Sequence, residues 1–312
     1  MTVTIYKSTD GSAPSLTGQA GSLTTLLDAV LVNGYGSKSA AGWTIDKTGT
    51  NKRVYKQPAG SNQFFLRVAD DAGTTYARIV AGETCTDIDT LGAYFPTEVQ
   101  FSGGLYAYKS TTADGTARAW ICISNGKFFV LIVNSASHAT WDTAVSWAFG
   151  DITSYKSADA YHTIIIGGNG TGATNNNLVA QTQFVLTDFS NCPGHYMARS
   201  QSQSGTSVQV GKVLDGVKGG STLYGMGRGV LPYPHAPDSK LVLSPAWIYE
   251  STPCIRGILP GIWSPCHAYT LLTNADTFSG AGDLAGKTFE ICHLYASGAT
   301  PGCLAFETSN TW

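Results

Sequence analysis

Charge is what this sequence has least of. Asp, Glu, Lys and Arg make up 13% of its 312 residues, where a typical soluble domain carries roughly 25%. The formal net charge is -2, and no basic run is longer than Lys52-Arg53. The electrostatic footprint of a sequence-independent nucleic-acid binder is therefore missing, and no direct nucleic-acid binding is expected. Long apolar runs are missing too. The longest, such as Phe128 to Val133, fall far short of the roughly 20 residues a membrane helix needs, so no membrane partner is expected. The amino terminus, Met1 to Lys7, has neither a basic n-region nor an apolar h-region, and no secretory signal is expected. The seven cysteines (Cys85, Cys122, Cys192, Cys254, Cys266, Cys292 and Cys303) are odd in number and widely scattered. Disulfide frameworks are even and dense, so these are expected to be reduced thiols acting as small buried hydrophobes. Scarce charge leaves two readings of the surface: it is covered by neighbours in an assembly, or it is an uncharged Ser/Thr/Asn/Gly surface of a secreted β protein.

Material for a core is abundant. Hydrophobic residues are 43% of the chain, with 15 Tyr, 12 Phe and 7 Trp, so disorder is excluded. One amphipathic helix is expected over 22–33. Leu23, Leu26, Leu27, Val30 and Leu31 fall at i, i+3, i+4, i+7 and i+8, which puts them on one helical face. Ser22 can cap its start, and Gly34 can take the left-handed conformation that stops it. A helix this short draws its stability from the surface it packs on. Nearly everything else reads as strand and turn, so that surface should be a sheet. The fold class expected is α+β, predominantly antiparallel β in hairpin-rich sheets or a sandwich.

Several hairpins can be placed. Asp46 to Lys52 reads as a tip before the strand Arg53 to Gln57. Phe64 to Ala69 and Thr75 to Val80 form a second pair. Ala117 to Ile123 and Phe128 to Val133 flank Asn125-Gly126, whose residues suit the two positive-φ positions of a type I′ turn. The second arm lacks polar alternation, so both its faces should be covered. Gly167 to Asn177 contains no apolar residue larger than alanine and reads as a loop or linker between an α+β unit at 1–166 and a β-rich unit at 178–312. It matches neither the P-loop nor the dinucleotide fingerprint. Beyond it, Leu178 to Thr187 reads as a strand and Ser200 to Ser207 as a hairpin tip. Pro245 marks a kinked or edge strand. Cys254 to His267, rich in Gly and Pro, should be a fixed irregular segment with Arg256 as its anchoring charge. Thr288 to His293 and Cys303 to Phe306 are the last strands.

Candidate chemistry is sparse. Cys192 with His195, Cys266 with His267, and Cys292 with His293 bring soft ligands close in sequence, but not at the paired spacing of structural zinc sites, and neighbours on a strand point to opposite faces. Buried thiols and ordinary histidines are the default, and no metal is expected. Asp87, Asp89 and Asp114 could supply the two carboxylates of glycoside hydrolysis, though Asp-x-Asp is common in loops. No Gly-x-Ser-x-Gly or catalytic cysteine signature is present. Trp141, Trp147, Trp247, Trp263 and Trp312 could stack on sugars, but tryptophans are mostly buried. No catalytic residue, no cofactor and no enzymatic activity are expected.

Two segments carry a resemblance. One runs from Ile5 to Asp10, continues through Gly21 to Lys38 and Ala41 to Thr44, and ends at Gly49 to Lys52; the other is Arg256-Gly-Ile-Leu-Pro-Gly-Ile262. They resemble a group of virion structural proteins of tailed bacteriophages. That resemblance implies a phage-particle subunit, made and assembled in the bacterial cytoplasm, with other virion proteins and further copies of itself as partners. A neck, collar or tail position is the first expectation, capsid decoration the next, and a host-glycan-binding module the alternative of a different class.

Overall fold

The computed structural model describes residues 3–71, 75–136, 144–168, 194–202, 209–215, 241–250, 254–265, 272–293, 303–309 and 312. The chain opens with β1 (Thr4–Lys7) and the helix α1 (Ser22–Leu27), which runs on into a π-helical turn (Asp28–Asn33). A five-stranded antiparallel sheet follows from β2 (Thr44–Gly49), β3 (Lys52–Lys56), β4 (Phe65–Ala69) and β5 (Tyr76–Gly82). The small hairpin β6 (Thr84–Asp87) and β7 (Thr90–Gly92) precedes its fifth member, β8 (Leu105–Tyr108).

β1 then heads a thirteen-stranded sheet. Its members in chain order are β9 (Ala119–Ser124), β10 (Phe128–Asn134), β11 (Ala144–Asp151), β12 (Thr153–Ser154) and β13 (Thr163–Gly167). They continue with β14 (Gly194–Met197), β15 (Gln209–Asp215), β16 (Leu243–Glu250) and β17 (Cys254–Pro265). The last three are β18 (Thr277–Ser279), β19 (Thr288–His293) and β20 (Cys303–Glu307). The fold is thus predominantly antiparallel β with one short helix.

Side-chain alternation sorts these strands into three β layers. In the five-stranded sheet Leu66 and Val68, Ala77, Ile79 and Ala81, and Leu105 and Ala107 face one core. Val54, Phe65 and Val80 face the other way, under Cys85, Ile88 and Leu91 of the β6–β7 hairpin. β10 is buried along its whole length. Phe129, Leu131 and Val133 enter the core shared with α1 and the five-stranded sheet. Phe128, Val130 and Ile132 enter a second core against Ala246, Ile248, Ile262, Leu304 and Phe306. The long sheet has doubled back on itself, so its first half is the middle layer. That is why β10 carries no polar alternation. The sheet curls far enough for Lys7 of β1 to pair with Glu290 of β19 at 2.6 Å.

Leu23, Leu26, Leu27, Val30 and Leu31 are all fully buried, each stabilising the fold by roughly 1.5–3 kcal/mol as area removed from water. The ends of the helix are made differently from the sequence expectation. Ser22 does not cap it: its hydroxyl turns back to the carbonyls of Thr17 and Gln19 at 2.7 and 3.0 Å. The cap comes from outside, where Asp70 Oδ2 accepts the Leu23 N–H at 2.8 Å. A carboxylate there satisfies an orphan donor and faces the positive end of the helix dipole. At the far end the Gly34 N–H reaches five residues back to the Ala29 carbonyl at 2.7 Å. Gly34 has φ 74° and ψ 172°, an extended positive-φ conformation open essentially to glycine alone, not the left-handed helical one. Where α1 widens into the π-turn, Asp28 is held by Tyr55 Oη at 2.7 Å and Arg53 Nε at 3.0 Å.

Other local expectations are corrected in the same way. β2 runs on to Gly49, so the first hairpin tip is Thr50-Asn51 alone, with Asn51 at φ 53°. In the Asn125-Gly126 turn only Gly126 takes positive φ, at 86°. Asn125 contributes its side chain instead, Oδ1 accepting the N–H groups of Lys127 and Phe128 at 2.9 and 2.8 Å. The turn is therefore not type I′. Pro245 lies in an interior strand, between β15 and β17, at a slip in the ladder. The Gly/Pro-rich segment from Cys254 is not irregular throughout: it is β17, paired with β16 over Cys254 to Ile258 and again at Trp263 to Pro265. Between those stretches Ala246 alone faces Leu259, Pro260, Gly261 and Ile262, a bulge that absorbs the residues a regular ladder rejects. Gly167 ends β13 opposite Gly194 of β14; residues 169–177 of the glycine-rich run, and the strand expected over Leu178 to Thr187, lie outside the described residues. β14 and β15 pair, so Ser200 to Ser207 connects two antiparallel neighbours, with 203–208 outside the described residues.

Candidate functional site

The most concentrated polar chemistry surrounds Arg256. β17 carries it into the space between the end of β16 and the loop after β12, where its side chain is fully buried. Its guanidinium fork meets Asp159 with two bonds, Nε to Oδ2 and Nη2 to Oδ1, both 2.9 Å. Nη1 bonds Glu250 and the Arg199 carbonyl, and Nη2 also donates to the Tyr161 carbonyl at 3.0 Å. Glu250 in turn accepts the Gln201 N–H at 3.1 Å. Arg199 extends the cluster to the five-stranded layer, pairing with both oxygens of Glu83 at 2.6 Å and stacking 3.9 Å over the Tyr161 ring. Burial raises the Asp159 carboxyl, but the Arg256 fork and the Ser154 hydroxyl outweigh it and bring its pKa down to about 2. The same two acids hold Arg256 above its ordinary value against burial.

A shallow cavity of about 480 Å³ opens beside this cluster, lined by Ser154, Lys156, Asp159 and His162 among others. Its groups are committed to each other. The Ser154 hydroxyl donates to Asp159 Oδ2 at 2.8 Å, not to His162. His162 lies with Nδ1 against the Asp159 carbonyl and Nε2 3.6 Å from Asp151. Asp151 accepts from Thr163 Oγ1, Gln57 Nε2 and the Asn62 N–H at 2.7, 3.0 and 2.9 Å. A nucleophile must face a base to be activated, and this serine faces a carboxylate already engaged by arginine. What the arrangement does chemically is fasten layers: Arg256 draws β16, β17 and the β12–β13 loop together, Arg199 adds the five-stranded sheet, and Asp151 adds its β3–β4 loop.

The residues singled out from sequence are dispersed. Asp87 and Asp89 flank the β6–β7 tip; Asp89 pairs with Lys52 at 3.3 Å and Arg67 at 3.8 Å, and Asp87 accepts the Ile88 N–H at 2.7 Å. Asp114 belongs to the loop before β9, its backbone bonded to Gly18 and its carboxylate to the Thr116 N–H. Trp147 is buried against Phe129. Trp247 and Trp263 are half-buried in β16 and β17, Trp263 packing on Phe289. Trp312 donates to the Glu307 carbonyl at 2.8 Å and lays its indole over Gly261. No fully exposed tryptophan stands among these. Trp141, Cys192, Cys266 and His267 lie outside the described residues. His195 is buried in β14, and Cys292 is buried in the second core, next to His293 in β19. Among the described residues, Cys85, Cys122 and Cys292 take part in no disulfide. Among the described residues, no three His, Cys, Asp or Glu side chains converge as a metal site would require, and no helix is long and apolar enough to cross a membrane.

Sequence reading reached Arg256 but missed its partners, and it missed the buried pair Lys109–Asp70. A usable signal was present: in so charge-poor a chain, a single charge closing an apolar strand, as Lys109 closes Leu105 to Tyr108 and Glu250 closes β16, points to an interior partner. Comparison with family models and with curated proteins gives no match for this chain.

Proposed function

We propose that the protein is a non-enzymatic structural subunit of a tailed-bacteriophage virion, placed at the neck, collar or tail and repeated around a symmetry axis. Capsid decoration is the nearest alternative position. The observation that carries this reading is where the charges go. Arg256, Lys109 and Arg118 are buried, and Asp70, Asp151, Asp159, Glu250 and Glu307 with them, so a chain with only 13% charged residues spends many of them inside. The charge that stays outside falls short of the roughly 25–35% that keeps a free soluble domain dispersed, which suits a subunit covered by neighbours better than a free monomer. The two segments that resemble phage virion proteins fit the same reading. One builds the helix and its flanking turns and the other is the Arg256 joint, so both hold parts of the fold together.

The test is a phage carrying a stop codon in this coding sequence, grown in a non-suppressing host and viewed by electron microscopy. Heads and tails that fail to join, or tails of abnormal form, are expected. Heads that assemble but rupture would move the protein to capsid decoration, and intact particles unable to adsorb would favour the glycan-binding alternative. A normal yield of infectious particles would overturn the proposal.

A further inference from the structure

Lys109 and Asp70 meet where the ends of β4 and β8 close over the start of α1. Both side chains are wholly removed from solvent, and Nζ lies 2.5 Å from Oδ1. The rest of each group is accounted for: Asp70 Oδ2 accepts the Leu23 N–H at 2.8 Å, and Nζ also reaches the Gln19 carbonyl at 2.5 Å and Ser22 Oγ at 3.5 Å. The three ammonium hydrogens thus have three acceptors, one of them Oδ1.

From this juxtaposition we infer that Lys109 and Asp70 condense into an intramolecular isopeptide bond. The ammonium passes one proton to Oδ1, leaving a neutral amine and a carboxylic acid. The Nζ lone pair attacks Cγ, and charge developing on Oδ2 falls on the Leu23 N–H already bonded to it. The Nζ–Cγ bond forms and the Cγ–Oδ1 bond breaks; a second proton passes from Nζ to the departing hydroxide formed from Oδ1, already its hydrogen-bonded neighbour, and one water is released. Nothing is oxidised or reduced. Burial acts in the same direction, raising the Asp70 carboxyl and lowering the Lys109 amine, each toward the neutral form the step consumes. The product keeps the hydrogen bonds already present: Oδ2 becomes an amide oxygen still facing Leu23, and the one remaining N–H still faces Gln19. It also replaces two desolvated charges by a neutral amide. The cross-link would join residues 39 positions apart and restrict the unfolded chain as a disulfide does.

The measurement is the intact mass of the denatured full-length protein followed by a tryptic peptide map. A mass one water below that of the sequence is expected, with trypsin blocked after Lys109 and a branched peptide joining the segments that contain Asp70 and Lys109. Lys109→Arg and Asp70→Ala should restore the full mass. Should these variants not fold, the wild-type map decides alone. A free Lys109 peptide from protein at its full sequence mass overturns the inference, as does a water lost at another position such as Asp10-Gly11 or Asp114-Gly115.

Discussion

At the scale of single residues, Arg256 shows what a buried charge can hold. Its fork has carboxylate on two sides and carbonyls on the rest, and removing it leaves Asp159 and Glu250 buried without a balancing positive charge. Arg256→Met is expected to cost about 3–5 kcal/mol in urea unfolding. Arg256→Lys should recover only part of that, because an ammonium cannot reproduce the two parallel bonds to Asp159. Acid should expose the same joint. The Asp159 carboxyl falls to about 2 in the folded chain from an ordinary 3.8. A folded-state value below the unfolded one contributes stability that is complete above the unfolded value and is lost as pH falls toward the folded one. Unfolding midpoints should therefore drop between about pH 4 and pH 2, and Asp159→Asn should flatten that limb in a titration followed by tryptophan fluorescence. Gly261 is the other strained point: it holds φ 65°, and a Cβ there would lie 1.9 Å from the Trp312 ring. Gly261→Ala should cost about 1–3 kcal/mol and shift the Trp312 emission. Arg256 was legible because it is the only charge in a Gly/Pro-rich apolar run. Asp159 was not, since it lies 97 positions earlier and no local pattern links the two.

At the scale of elements, period and composition located most of the structure, and the turns show where local rules stop. The 3.6-residue spacing of Leu23 to Leu31 placed the helix, because an apolar stripe has one use in water. Its cap could not be read, since the acceptor is Asp70, brought in by the far end of β4. Asn125-Gly126 marked a real hairpin, yet asparagine serves there through its side-chain oxygen. The run from Cys254 looked too rich in Gly and Pro to pair, but a strand can carry such residues if its partner allows a bulge, and the partner's slip at Pro245 is invisible from β17 itself. The uniform burial of β10 was legible from its lack of alternation. It makes a sharp expectation: Leu131→Ala and Val130→Ala empty different cores, one toward α1 and one toward β16 and β20. Leu131→Ala should cost about 2–5 kcal/mol, and the pair of losses should add to within about 0.5 kcal/mol in a double-mutant cycle if the two cores are independent.

At the scale of the whole molecule, three β layers share one central stretch of sheet, and the charges that might have faced water are used to fasten the layers. That economy connects composition to the proposed role: interior charge is structural, and under that proposal the exterior is left to contacts with neighbours. Isolated apolar side chains such as Val99, Tyr155 and Ile255 do stand exposed, and a monomer tolerates a few of these. The scarcity of charge around them is what an assembly would use. None of this fixes a place in a particle from sequence alone, because a buried aromatic and an interface aromatic obey the same pattern. The most direct measurement is quantitative mass spectrometry of purified phage particles with heads and tails separated. The account predicts this chain in the tail or neck fraction at a fixed copy number that is a multiple of the local symmetry. Its absence from both fractions would contradict the structural reading outright.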